Sequence, residues 1–216
     1  MIISPSLLSC DFTNIEKELN YFSHIDNVWF HLDIMDGHFV PNFTLGGPLA
    51  KQIVSKTKLP IDAHIMVSNP EFHGELLKDT GIHNLTFHLE ATDNPLELIK
   101  KFKGYFKSVG ISIKPNTPVS SISLEVLKAI DLLLIMSVEP GFGGQSFIES
   151  TYNKMNDVVT LKKNHDLSFM VQIDGGVNNL NSTKLKDHGA NNLVAGSYIF
   201  KDGPSNYEKK LESLRS

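Results

Sequence analysis

His31, Asp33, His64 and Asp174 are the residues of this 216-residue chain whose types and spacing point most directly to chemistry. On a strand, the His-x-Asp spacing puts His31 and Asp33 on one face. Two neutral imidazoles and two carboxylates make a four-ligand set for one divalent metal ion, and such N/O donors accept Zn²⁺, Fe²⁺, Mn²⁺ or Co²⁺ without selecting among them. Asp33 and Asp174 also suit proton transfer. Two carboxylates flanking a flat intermediate can remove a proton from one face and return one to the other, as an epimerase or racemase requires. A carbon acid beside a carbonyl loses its proton slowly unless the developing enediolate is stabilised, which a bound metal does as a Lewis acid.

A second group of residues suits an anion. Pro140-Gly141-Phe142-Gly143-Gly144-Gln145-Ser146, Asp174-Gly175-Gly176 and Gly196-Ser197 are glycine-rich stretches that let backbone N–H groups turn toward a phosphate and approach it closely. They contain no Lys or Arg, so backbone dipoles would hold the anion.

These residues need a frame. Apolar runs with strand character cover Ile2 to Leu8, Trp29 to Met35, Ile61 to Val67, Asn84 to Glu90, Ser108 to Lys114, Leu132 to Val138, Phe169 to Asp174 and Asn192 to Tyr198. Helix-period segments alternate with them: Thr13 to His24, Pro48 to Thr57, Glu71 to Thr80, Pro95 to Phe106, Val119 to Ala129, Ser150 to Asn164, Leu180 to His188 and Ser205 to Leu214. Asp11 or Thr13, Asn69-Pro70 and Asn94-Pro95 are start signals, and Gly81 and Gly189 are stop signals. Eight strand–helix pairs, about 27 residues each, predict a parallel sheet closed into a (β/α)₈ barrel forming one domain over residues 1–216. An open doubly wound sheet would usually begin with a glycine-rich nucleotide turn, whereas the first turn here reads Ser4-Pro5-Ser6-Leu7-Leu8-Ser9. Barrels often place a phosphate in the loops after strands seven and eight, which is where two of the glycine stretches fall.

Alternation within the strands assigns the faces. Phe30, Leu32 and Ile34 should meet helices while His31, Asp33 and Met35 point inward. Ala63 and Ile65 oppose Asp62, His64 and Met66 in the same way. Phe87 and Leu89 oppose His88 and Glu90, and Val171 and Ile173 oppose Gln172 and Asp174. Ionisable groups gathered on a barrel axis need partners, which suggests an ion or a substrate. Met35, Met66 and Met136 would line the same interior as a polarizable apolar wall.

Composition narrows the partners. The 20 Lys+Arg against 24 Asp+Glu give a net charge of −4, and the basic residues are scattered, so no nucleic-acid partner is expected. The longest wholly apolar run, Leu132 to Met136, is too short for a membrane span. The single cysteine, Cys10, reads as a small filler. With no signal-like N-terminus in view, a cytoplasmic location is expected.

Longer motifs resemble a known family. Ser4-Pro5-Ser6-Leu7-Leu8, His31 through Asn42, Asp62 through Val67, Phe87 through Thr92, Ser137 through Gln145 and Asp174 through Val177 are similar, in order and spacing, to ribulose-phosphate 3-epimerases from about Ile3 to Phe200. The resemblance implies a (β/α)₈ barrel that interconverts D-ribulose 5-phosphate and D-xylulose 5-phosphate. It also implies one divalent ion per subunit on His31, Asp33, His64 and Asp174, with Asp33 as proton acceptor and Asp174 as donor, exchanging roles in reverse. Ser6 and His64 match substrate contacts. Gly141, Phe142, Gly143, Gly144, Asp174, Gly175, Gly176, Gly196 and Ser197 match the surroundings of the sugar phosphate. Asp36 to Phe39 would belong to a covering loop, and a homo-oligomer is compatible with the likeness. Gln172 departs from it, since many relatives carry Glu there.

Three other functions compete with this one. An epimerase of a hexulose 6-phosphate such as allulose 6-phosphate differs only in sugar length. A metal-assisted hydrolase would release inorganic phosphate. A non-catalytic phosphosugar-binding barrel would keep its ligand affinity and function largely intact in Asp33→Asn.

Overall fold

Strands and helices alternate from one end of the chain to the other in the computed structural model, which describes residues 1–216. The strands are β1 (Ile2–Pro5), β2 (Phe30–Met35), β3 (Ile61–Met66), β4 (Asn84–His88), β5 (Ser108–Ile113), β6 (Leu132–Met136), β7 (Met170–Asp174) and β8 (Asn192–Ala195). All neighbours pair in parallel, in the order β1-β8-β7-β6-β5-β4-β3-β2. Isolated parallel bridges Ile3↔Val28 and Ser6↔His31 bring β1 back beside β2. The result is a single-domain (β/α)₈ barrel, as the alternation predicts.

The helices are α1 (Ile15–Asn20), α2 (Gly47–Ser55), α3 (Pro70–Leu77), α4 (Pro95–Phe102), α5 (Leu124–Ala129), α6 (Thr151–His165), α7 (Ser182–Asp187), α8 (Ser197–Phe200) and α9 (Tyr207–Ser213). Local chemistry accounts for several of their ends. Asn69 accepts a hydrogen bond from the Phe72 N–H and Pro70 opens α3. Asp11 caps a 3₁₀ turn, Phe12–Asn14, which precedes α1. Asn94 makes no side-chain cap, so Pro95 alone marks the start of α4. Gly81 and Gly189 have φ of 86° and 91°, the left-handed conformation expected of them. No helix is long and apolar enough to cross a membrane.

The helix read over Val119 to Ala129 is instead a 3₁₀ turn, Val119–Ser121, followed by α5, and three further segments at the barrel mouth differ from the sequence reading. After Pro5 the chain makes a 3₁₀ turn, Leu7–Ser9, instead of continuing as strand. β4 stops at His88, and Leu89–Ala91 is a 3₁₀ turn that contains Glu90. Ser197 and Tyr198, read as strand, open the short helix α8. In each case the chain must bend out of the barrel mouth, a tertiary demand that overrides strand propensity.

The main core is a cluster of 51 buried residues and includes Phe30, Leu32, Ile34, Ala63, Ile65, Phe87 and Ile173, the positions assigned to the helix side. Inside the barrel the apolar groups are few: Leu132, Leu134, Met136 and Val138 in one cluster, Met35, Val40 and Met66 in another. Cys10 is half-buried, and burial, with Glu18 and Asp11 nearby, pushes its thiol up to about 12, so it is unreactive filler.

Packing between α3 and α4 turns on one aromatic ring. Phe102 is fully buried, sits edge-on to Phe87 at 5.8 Å, and fills the space at Gly74, where a Cβ would lie 2.4 Å from its ring. Phe102→Ala is expected to cost about 3–5 kcal/mol. Urea unfolding checks this: the midpoint should fall with little change in slope.

Candidate active site

β2 and β3 lie in register, with His31 opposite Asp62 and Asp33 opposite His64. Alternation therefore turns all four side chains inward. β7 ends on Asp174, three places around from β2 by way of β1 and β8. One donor atom from each of His31, Asp33, His64 and Asp174 lies within 4.8 Å of the others. His31 Nε2 is 3.4 Å from Asp33 Oδ1 and 3.5 Å from Asp174 Oδ2. His64 Nδ1 is 3.4 Å and 3.6 Å from the same two oxygens. These separations exceed an N–H···O hydrogen bond, and neither nitrogen has a partner although both rings are fully buried. Two orphaned imidazole nitrogens facing two carboxylate oxygens around one small space are what a divalent cation requires, and the four residues can hold one.

The surrounding hydrogen bonds orient this group. His31 Nδ1 lies 2.8 Å from Asp62 Oδ2, and a carboxylate only accepts, so Nδ1 carries a proton and, in the neutral ring, the lone pair of Nε2 faces the centre. Asp62 also accepts from Gln172 Nε2 and Asn84 Nδ2, each at 2.6 Å. Gln172 thus donates to a buried carboxylate, where a Glu would bring a second negative charge against it. Ser6 Oγ donates to Asp33 Oδ2 at 2.9 Å.

Charge follows from this arrangement. Burial disfavours the charged forms of His31 and His64, but Asp33 and Asp62 around His31, and Asp174 and Asp33 around His64, outweigh it and raise both imidazoles above their ordinary value. Burial likewise opposes ionisation of Asp33 and Asp174, and the two imidazoles overcome it, holding both carboxyls below the usual range. His88, fully buried beside His64, behaves differently. Burial, against the pull of Glu90, pushes it down to about 4, which leaves it neutral at pH 7.

Above the cluster opens a cavity of about 360 Å³. Ser6, Asp33 and Asp174 form part of its lining, with Met35, Met66 and Met136 as apolar wall. All the predicted glycine positions reach it: Gly141, Gly143, Gly144, Gly175, Gly176 and Gly196, together with Phe142 and Ser197. A Cβ at Gly176 would sit 2.5 Å from the Phe147 nitrogen at a φ of 66°, so only glycine permits that turn. His31 and His64 do not line the cavity. They lie behind Asp33 and Asp174, and His64, expected to touch substrate, presents Nδ1 to the two carboxylates.

The family model for the ribulose-phosphate 3 epimerase family matches residues 2–200. A ribulose-phosphate 3-epimerase of Treponema pallidum is 42% identical over 198 residues, 92% of this chain and 90% of the relative. The cytoplasmic isoform of Oryza sativa is 40% identical over 201 residues, covering 92% and 86%. The chain belongs to the ribulose-phosphate 3-epimerase family. It is an epimerase of that family. Among solved structures, the tryptophan synthase α-subunit of Pyrococcus furiosus superposes with a TM-score of 0.67 at 17% identity over 100% of this chain and 97% of that one, a likeness of fold alone.

Several lining residues of this epimerase escaped the sequence reading. Asn178, Asn179, Leu180, Tyr198 and Lys201 all reach the cavity. Lys201 follows α8 four residues after Ser197, so helical spacing brings it to the same side. The available signal was Gly196-Ser197 read as a helix start instead of as strand.

The loop after β2 is held by Asp36. Its carboxylate accepts from the backbone of His38, Phe39 and Ser68 and from Ser68 Oγ, at 2.7–2.9 Å. Burial acts against ionisation, but these donors, Ser68 first, hold the carboxyl below its ordinary 3.8. The carboxylate's contribution should be complete above pH 3.8 and disappear as pH falls through the depressed value. Asp36→Asn is expected to cost about 1 kcal/mol at pH 6, a small figure because the group is solvent-screened. Denaturation of both proteins from pH 6 down to pH 2 should show the difference shrinking.

Proposed function

We propose that the chain interconverts D-ribulose 5-phosphate and D-xylulose 5-phosphate by moving the hydrogen at C3 between the two faces of the sugar. One observation carries this reading: Asp33 and Asp174, from strands three places apart, share the floor of a single cavity whose rim is made of glycine loops. The names of its relatives supply the substrate.

In each carboxylate one oxygen is turned to the imidazoles, Oδ1 of Asp33 and Oδ2 of Asp174. The second oxygen of each is left for the substrate. Asp33 Oδ2, oriented by Ser6, takes the C3 proton from one face, and the C3–H electron pair moves toward C2 and its carbonyl oxygen to give an enediolate. Asp174, through Oδ1, returns a proton to the opposite face of C3. In the reverse direction the two exchange roles. In each turnover the accepting carboxyl starts ionised and the donating one starts protonated, so the proton taken up on one face is balanced by the one returned on the other. When bound to His31, Asp33, His64 and Asp174, a divalent ion supplies positive charge that stabilises negative charge on the sugar oxygens. Met35, Met66 and Met136 keep water from the reacting carbon. At the rim, backbone N–H groups of Gly175, Gly176, Gly196 and Ser197 hold the phosphate, with Lys201 adding one positive charge. After its rice relative, the cytoplasm is the proposed place of action.

The test is turnover of ribulose 5-phosphate in heavy water. Deuterium should appear at C3 of both sugars, and conversion without it would refute the two-carboxylate mechanism. Asp33→Asn and Asp174→Asn should each lower kcat by about 10²–10⁴-fold or more. Comparing kcat/KM on ribulose 5-phosphate and allulose 6-phosphate checks the sugar: the pentulose should be preferred, and a preference for the hexulose would overturn the assignment.

A further inference from the structure

His64 has no carboxylate behind it. Where His31 rests on Asp62, the Nε2 of His64 lies 2.9 Å from Nε2 of a second histidine, His88, the last residue of β4. Two facing imidazole nitrogens form a hydrogen bond only if one carries a proton and the other does not. The other side of His88 decides which. Its Nδ1 lies 3.2 Å from Glu90 Oε2, and a carboxylate can only accept. His88 therefore donates from Nδ1, and its Nε2, in the neutral ring, accepts. His64 must then donate from Nε2, which leaves the lone pair of Nδ1 facing Asp33 and Asp174.

Glu90 is itself held in place. Its Oε1 accepts from the Lys114 backbone N–H at 2.7 Å and from the Thr117 hydroxyl. The His88 ring is covered by Phe39 at 4.8 Å, and the Lys114 ammonium sits 3.9 Å from the centre of the Phe39 ring. The position and proton of His88 are thus fixed from two sides.

We propose that Glu90 and His88 are a positioning pair that sets the tautomer of His64 and so determines whether its Nδ1 can bind a cation. The inference rests on the reading of His31, Asp33, His64 and Asp174 as a metal centre. It assigns Glu90 a role without contact to substrate or ion.

The Glu90→Gln variant tests it with almost no change in shape. Lys114 N–H and Thr117 O–H hold the position of Oε1, so the amide oxygen takes that place and the NH₂ group turns to His88. An NH₂ donating to Nδ1 moves the His88 proton to Nε2 and obliges His64 Nε2 to accept, placing the His64 proton on Nδ1, where the cation should sit. Zn²⁺ affinity, measured by chelator competition on the otherwise intact chain, should fall about 10–100-fold. Nitrogen-15 imidazole spectra should show the protonated nitrogen of His88 changing from Nδ1 to Nε2. A second pair of variants guards against misfolding. In His88→Gln one amide can donate to Glu90 and accept from His64, whereas His88→Leu can do neither, so Gln should keep more Zn²⁺ affinity than Leu. Zn²⁺ binding by Glu90→Gln and His88→Leu within about twofold of the wild type would overturn the relay while leaving the metal centre standing. Failure of the wild type to bind one Zn²⁺ per chain would overturn both.

Discussion

The structure depends on the burial of charge along the barrel axis. His31, Asp33, His64 and Asp62 are all nearly or fully buried, and Asp174 is only slightly exposed. An isolated ion in such surroundings costs several kcal/mol even after relaxation, so these groups persist only as a set. Each carboxylate faces an imidazole, and each imidazole is backed by a further acceptor. The polar layer beneath them completes the set. Asn84 donates to Asp62 while accepting from Ser108, and Asn192 accepts from Ser4 across the β1–β8 seam. A barrel interior packed only with Val, Ile and Leu would be simpler to stabilise. Here the inward positions of β2, β3, β4 and β7 serve the site, and stability comes mainly from the apolar sheath between strands and helices.

That division of labour explains which features were legible in the sequence. Period-2 alternation is a strong signal because one face of each strand meets helices, so His31, Asp33, His64 and Asp174 could be placed inward from neighbours such as Phe30, Leu32, Ala63 and Ile173. The glycine stretches were legible for a different reason. Positions such as Gly176 tolerate no side chain, and the requirement marks the sequence directly. The element count and the barrel followed from the same punctuation.

Other features were hidden because they depend on register and on chain direction at the barrel mouth. Alternation puts His88 inward but does not reveal that its nearest polar neighbour is His64, since that requires the β3–β4 pairing of Ile65 with Phe87. Gln172 is inward by the same rule, yet its role as donor to Asp62 comes from the meeting of β3 and β7 across the barrel. Glu90 looked like a strand residue. It occupies a turn, where its carboxylate can reach both His88 and the residues after β5. Lys201 was missed because a strand-like run, Asn192 to Tyr198, becomes helical at Ser197.

The axis also carries a direction that net charge conceals. A chain of net charge −4 is a poor candidate for holding a phosphate dianion if its charge is treated as uniform. The carboxylates of Asp33 and Asp174, however, lie on the cavity floor, apart from the glycine loops of the rim. The rim presents glycine N–H groups and Lys201 and contributes Glu139 as its one carboxylate. On the proposed function, a ligand with a phosphate at one end and an acidic C–H bond at the other would be oriented before any chemistry occurs, because the reversed pose would bring the dianion against Asp33 and Asp174. Like charges at close range in a water-poor site repel far more strongly than in bulk solvent. On the proposed mechanism, the carboxylates that take up the proton would thus also exclude the wrong orientation of the sugar.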